Sequence, residues 1–105
     1  MDAVTGLSGS GPVYVYMVIE ALAAGGVQEG LRLDIAHALA VQTVLGAARL
    51  VKETGEHPAL LREKVCSPGG TTIAAIRVLE ERGLRATLMD AVGAATRRSK
   101  ELGQG

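Results

Sequence analysis

Two stretches of this chain are apolar almost all the way round a helix, and a chain of this length has little with which to cover them. Between Pro12 and Val27 the one charge is Glu20. Wound into a helix, Val13, Met17, Ala21 and Ala24 share one face, and Val15, Val18, Ile19 and Leu22 fill much of the rest. The second stretch carries two stripes. One is Ile35, Leu39, Gln42, Leu45, Arg49 and the other is Ala38, Val41, Val44, Ala48, Val51. Helices of this kind require burial on more than one side. At 105 residues the chain is a single domain by size, and small domains bury a smaller share of their surface. The pattern therefore predicts a second copy that supplies the missing cover, a homodimer with a helical interface larger than standard size.

Composition points to the same class. Hydrophobic residues make up 48% of the chain, with no Trp, no Phe and two Tyr. That apolar mass of Ala, Val, Leu and Ile suits closely packed helices, punctuated by 14 Gly and 3 Pro. The chain is read as all-α with about five helices. Val4 to Gly11 is expected to be a Gly/Ser-rich loop, with Ser10 capping a first helix from Pro12 to Ala24 that ends at Gly25-Gly26 and can resume through Val27 to Gly30. A second helix is expected from Leu33-Asp34 to Thr54, stopped by Gly55. A short third runs from Pro58 to Lys64 with Leu60 and Leu61 as its buried side. A fourth runs from Thr71 to Arg82, and a fifth from Leu84 to Leu102. No strand pattern is present.

Between the third and fourth helices lies Val65-Cys66-Ser67-Pro68-Gly69-Gly70-Thr71-Thr72-Ile73. It reads as a loop that stops at a proline, turns through two glycines and starts a helix with two threonines. Glycines let a ligand approach the backbone. The helix that follows points its first N–H groups, and the positive end of its dipole, back at the loop. Those features suit a carboxylate or a phosphate, with the hydroxyls of Ser67, Thr71 and Thr72 at the rim. Ser, Thr and Gly are also ordinary residues for starting any helix, so the loop by itself reads either as an anion site or as a cap.

Other constellations are weaker. Gly6-x-x-Gly9-x-Gly11 has the wrong order for a dinucleotide fingerprint and no strand before it, so it reads as a hinge or linker loop. His37, His57 and Cys66 match no metal-ligand spacing; no metal is expected. Cys66 has no identifiable base beside it and reads as a small buried or half-buried thiol. Glu20 is placed at the domain edge. A net charge of zero argues against nucleic acid. The run from Pro12 to Val27 is shorter than the roughly 20 residues that cross a bilayer, and no secretion signal is visible; a cytoplasmic protein with no membrane partner is expected.

Residues Val65 to Glu80 (VCSPGGTTIAAIRVLE) closely resemble the signature of pyrroline-5-carboxylate reductases. Asp2 to Pro12 (DAVTGLSGSGP) looks like the start of that family's C-terminal domain, and Gln42 to Ala48 and Glu56 to Ala59 match further stretches. The resemblance covers nearly the whole chain. It implies an enzyme that reduces Δ1-pyrroline-5-carboxylate to L-proline with NADPH or NADH. It also implies a cofactor-holding Rossmann domain, absent here, and a helical domain that interlocks with its twin, in some members as part of a decamer. By the same resemblance the substrate carboxylate is held by Ser67 and by the backbone from Gly69 through Gly70 and Thr71 to Thr72. The Thr72 hydroxyl lies near the ring nitrogen as the catalytic contact. The backbone around Val65 approaches the nicotinamide, Thr5 lies close to the same place, and Lys64 stands where some relatives carry Asn. The chain alone is expected to dimerise and to offer this loop without reducing anything. Two readings from other classes stand beside this one: a structural dimer module whose loop caps a helix, and a small-anion sensor.

Overall fold

A computed structural model describes residues 1–66 and 70–104. The described residues are helical, with short connections and no strand. A short α1 (Asp2–Val4) runs into a π-helical turn (Thr5–Gly9) and then α2 (Gly11–Gln28). There follow α3 (Leu33–Thr54), α4 (Pro58–Val65), α5 (Thr71–Glu81) and α6 (Leu84–Gln104). The five longer helices are those expected. Two compact units divide them: Met1–Val18 with Leu79–Gly105, and Ile19–Val78.

The helix ends follow local chemistry. At the C-terminus of α3, Gly55 takes φ +69° and donates its N–H to the Val51 carbonyl at 3.0 Å. Such a left-handed residue suits glycine, which has no Cβ to clash. At the start of α4, Pro58 follows His57, whose Nδ1 accepts the Ala59 N–H at 3.0 Å. That bond satisfies one of the orphan donors of a helix start.

Four expectations are corrected. Val4 to Gly11 is not a loop. Ser10 N–H donates to the Thr5 carbonyl at 2.8 Å, a five-residue closure, and the turn continues the helical path. Ser10 itself has helical dihedrals (φ −86°, ψ −15°) and so is not an N-cap. The physical reason is Gly6, which is buried against α6. A Cβ there would fall on Thr96 Oγ1 and lie 2.8 Å from the Val92 carbonyl oxygen. The glycine permits close approach of two helices rather than a loop.

The first long helix does not end at Gly25-Gly26. It continues to Gln28 and closes at Gly30 (φ +105°), where Leu31 N–H bonds the Gly26 carbonyl and Gly30 N–H bonds the Val27 carbonyl, both at 3.0 Å. This pair of bonds is the Schellman arrangement. Packing explains the continuation. A Cβ on Gly26 would stand 3.1 Å from Ala36 Cβ and 3.3 Å from Leu31 Cδ1. Close contact between α2 and α3 offsets the roughly 0.5–1 kcal/mol that a mid-helix glycine costs.

The third correction concerns α4. Leu61 is half-buried but Leu60 is 53% exposed. The same holds widely. The fully buried apolar side chains among the described residues are Ala23, Ala36 and Ala40, with Ile19 packed against them. Larger apolar residues such as Leu39, Leu45 and Met17 remain about half exposed or more. The chain exposes 8190 Å², against about 5,500 Å² for an ordinary folded monomer of 10.8 kDa. Two helical stretches, Asp2–Gln28 and Leu33–Thr54, are long and apolar enough to cross a membrane. The expectation of too short a span is thus overturned on length, because the helical path extends back through the π-turn to Asp2.

Candidate functional site

The predicted site begins where α4 ends. Val65 closes α4 with its side chain 70% exposed. It borders a groove of about 390 Å³ between α3 and α4, whose walls include Gly46, Leu50, Pro58 and Leu61. Cys66 then leaves the helix in an extended conformation (φ −78°, ψ 133°). Its N–H is shared between the Arg62 and Glu63 carbonyls at 3.3 and 3.2 Å, and its thiol is half-buried. The predicted ligand-binding residues Ser67 and Gly69, together with Pro68, lie outside the described residues.

Beyond them the chain turns at Gly70 and enters α5 at Thr71. The Gly70 carbonyl accepts the Ala74 N–H at 3.4 Å. Thr71, Thr72 and Ile73 therefore occupy the first turn of α5, the part of a helix whose N–H groups precede the intrahelical ladder. Thr71 is exposed, while Gly70 and Thr72 are half-buried. Sequence reasoning thus located the helix start at the residue where it occurs. An anion placed at this end would meet backbone donors and the positive end of an 11-residue helix.

Lys64, one residue before Val65, is engaged by Glu56. Its ammonium donates to both carboxylate oxygens, at 3.1 and 2.9 Å. The side chains are 66% and 37% exposed, so the pair contributes about 0–1 kcal/mol. Its effect is to tether the end of α4 to the segment before His57.

Thr5 belongs to the other unit and is exposed. Its hydroxyl donates to the Met1 carbonyl at 3.1 Å, which leaves the oxygen lone pairs free to accept. Around it lies a constellation that sequence reasoning missed. The half-buried Tyr14 hydroxyl donates to the Gly6 carbonyl at 2.7 Å. Thr96 Oγ1 donates to its own helix at Val92, at 2.7 Å, beside the space that Gly6 leaves. Ser99 Oγ donates to Asp2 Oδ1 at 2.6 Å. The available signal was the rarity of aromatic residues, Tyr14 being one of two.

Comparison with known proteins supplies the family. A family model described as pyrroline-5-carboxylate reductase dimerisation matches residues 1–102. A pyrroline-5-carboxylate reductase of Synechocystis is 64% identical over 104 residues, which are 99% of this chain and 39% of that protein. One from Arabidopsis thaliana is 61% identical, over 98% of this chain and 37% of its own length. Among solved structures, the Plasmodium falciparum pyrroline carboxylate reductase with NADP bound superposes with a TM-score of 0.94 at 39% identity, covering 98% of this chain and 39% of that one. The chain thus spans somewhat over a third of the length of these relatives. With a match over residues 1–102, the chain belongs to the pyrroline-5-carboxylate reductase dimerisation family.

Proposed function

We propose that this chain is the dimer-forming, substrate-holding part of a pyrroline-5-carboxylate reductase, the enzyme that reduces Δ1-pyrroline-5-carboxylate to L-proline with NADPH or NADH. The observation that carries the reading is the start of α5 at Thr71, directly after Gly70, in a chain matched by this family from residue 1 to 102.

In this proposal the substrate carboxylate sits at the N-terminus of α5. Backbone N–H groups from Gly69 to Thr72 hold it, and the Ser67 hydroxyl adds a side-chain contact. Several donors on one small anion fix the ring in one orientation, and orientation is a large part of the barrier in a transfer between two bound groups. The Thr72 hydroxyl, one residue into the helix, hydrogen-bonds at the ring nitrogen, where the proton of the reduced product resides.

The nicotinamide, when bound, supplies hydride to the imine carbon. Two groups of this chain, one in each compact unit and each taken by itself, suit a nicotinamide. Val65 offers an exposed apolar surface, and the Thr5 oxygen keeps acceptor capacity for a carboxamide N–H. The glycines at 6, 9 and 11 are helical, so they form no phosphate-cradling loop. The dinucleotide is accordingly assigned to a separate Rossmann domain.

A second copy covers the exposed faces of α2 and α3 in this reading, and larger assemblies such as a decamer build on that dimer. The family description as a dimerisation domain favours a protein partner over a bilayer for these faces. The reading carries a cytoplasmic location with it. Recovery of the expressed chain in a detergent-requiring membrane fraction would overturn that part.

The site is tested by titrating the 15N-labelled chain with L-proline or pyrrole-2-carboxylate. Expected are shifts at the Gly70, Thr71 and Thr72 amides. Shifts elsewhere with none in this segment reject the carboxylate assignment. Silence at tens of millimolar favours the structural reading, in which the residues only cap a helix.

A further inference from the structure

We propose that Tyr14 is a positioning residue: by holding the Gly6 carbonyl it keeps residues Thr5–Gly9 in the π register and so fixes the turn on which Thr5 stands. The inference rests on the reading above that Thr5 faces the nicotinamide.

In an ordinary α-helix the Ser10 N–H would donate to the Gly6 carbonyl, four residues back. Here it donates to Thr5 instead, at 2.8 Å. The Gly6 carbonyl accepts the Tyr14 hydroxyl at 2.7 Å. Tyr14 therefore supplies from α2 the donor that the wide turn diverts. Gly6 is buried, and a buried carbonyl deprived of a partner is costly to leave unpaired. Without the hydroxyl, the nearest substitute is the Ser10 N–H. Taking it removes one residue from the wide turn and rotates the preceding segment by about 100° relative to α2.

That rotation cannot occur freely, because the segment is held from the other side. Gly6 rests against the Val92 carbonyl and Thr96 of α6, and Asp2 accepts the Ser99 hydroxyl at 2.6 Å. Two sets of contacts thus meet at this turn. Those to α6 fix where residues 2–6 lie, and the π register lets α2 leave at its own angle without breaking them. The Tyr14 bond makes the two compatible. Its loss places the α register in competition with the α6 contacts, and Thr5, the first residue of the wide turn, moves with the outcome. π-Turns inside helices occur frequently at functional sites.

The test is Tyr14→Phe, which deletes only the hydroxyl, placed in the complete reductase carrying this chain. The KM for the nicotinamide cofactor is expected to rise five- to tenfold. The KM for the pyrroline acid stays within twofold, and the dimer is unchanged by sedimentation. In the labelled chain the Ser10 amide resonance moves and its exchange protection falls about tenfold, while the amides of α6 hold. A Tyr14 that merely packs would lower the melting temperature and the active fraction with both KM values constant, and that result overturns the proposal. An unmoved Ser10 amide overturns the register argument. Thr5→Val separates this inference from the reading beneath it. If Thr5→Val raises the cofactor KM and Tyr14→Phe does not, the positioning role fails and the assignment of Thr5 stands. If Thr5→Val leaves the cofactor KM unchanged, the assignment of Thr5 itself fails.

Discussion

In the proposed site Thr72 and Gly70 have different tasks at the same helix end, and single substitutions separate them. There, Thr72→Ala would remove the hydroxyl contact to the reacting ring while sparing the backbone donors. In the complete reductase it should cost on the order of 1–3 kcal/mol of transition-state stabilisation, a drop in kcat with little change in KM. Unaltered turnover would remove Thr72 from the mechanism. Gly70→Val keeps the donors but places a branched side chain at the half-buried bend before α5. It should raise the substrate KM while the dimer persists in sedimentation; an unfolded protein would instead assign the glycine to the turn. Gly6 has a structural task. Its Cβ would strike Thr96 and the backbone of Val92, and backbone yields less than a flexible side chain. Gly6→Ala should therefore destabilise by about 1–3 kcal/mol. An unchanged melting temperature would show that the π-helical turn and α6 can separate cheaply.

At the scale of elements, α2, α3 and α5 each end just before a residue with special backbone needs. Gly55 and Gly83 adopt positive φ at the ends of α3 and α5, as the sequence pattern expects. Gly30 does the same for α2, two residues past the last helical position. A Cβ there would meet open space, so the strain of Gly30→Ala is backbone strain alone. That substitution should lower stability by about 1–2 kcal/mol, seen as a lower denaturant midpoint at constant m-value. No change would mean that the Schellman closure contributes little and that the α2–α3 contact alone sets the end of the helix. Gly25-Gly26 shows why glycine is ambiguous in a sequence. The same residue that stops a helix also lets a neighbour come close, and here Ala36 and Leu31 approach Gly26.

For the whole molecule the governing fact is a shortage of interior. Three alanines form the fully buried apolar set among the described residues, and the exposed surface exceeds that of an ordinary monomer of this mass by roughly half. Obligate dimers resemble a core cut in two, and exposed apolar faces of this extent mark an interaction surface. The isolated chain should sediment as a dimer at micromolar concentration, with a melting temperature that rises with concentration. A folded monomer with a concentration-independent melting temperature would contradict this. The sequence carried this conclusion through helices too apolar on too many faces, an excess countable without coordinates.

What the sequence determined by itself is what depends on neighbours along the chain. The helical class follows from apolar spacing, and the starts at Pro58 and Thr71 and the stops at Gly55 and Gly83 follow from residues that permit or forbid particular dihedrals. What only the tertiary structure decided depends on contacts across the chain. Gly6 meets Val92 and Thr96, and Asp2 meets Ser99, 97 positions away. These contacts convert a glycine- and serine-rich segment from an apparent loop into a wide helical turn. Local propensity is a small energy, up to about 1 kcal/mol for a glycine, and packing that buries a backbone against another helix outweighs it.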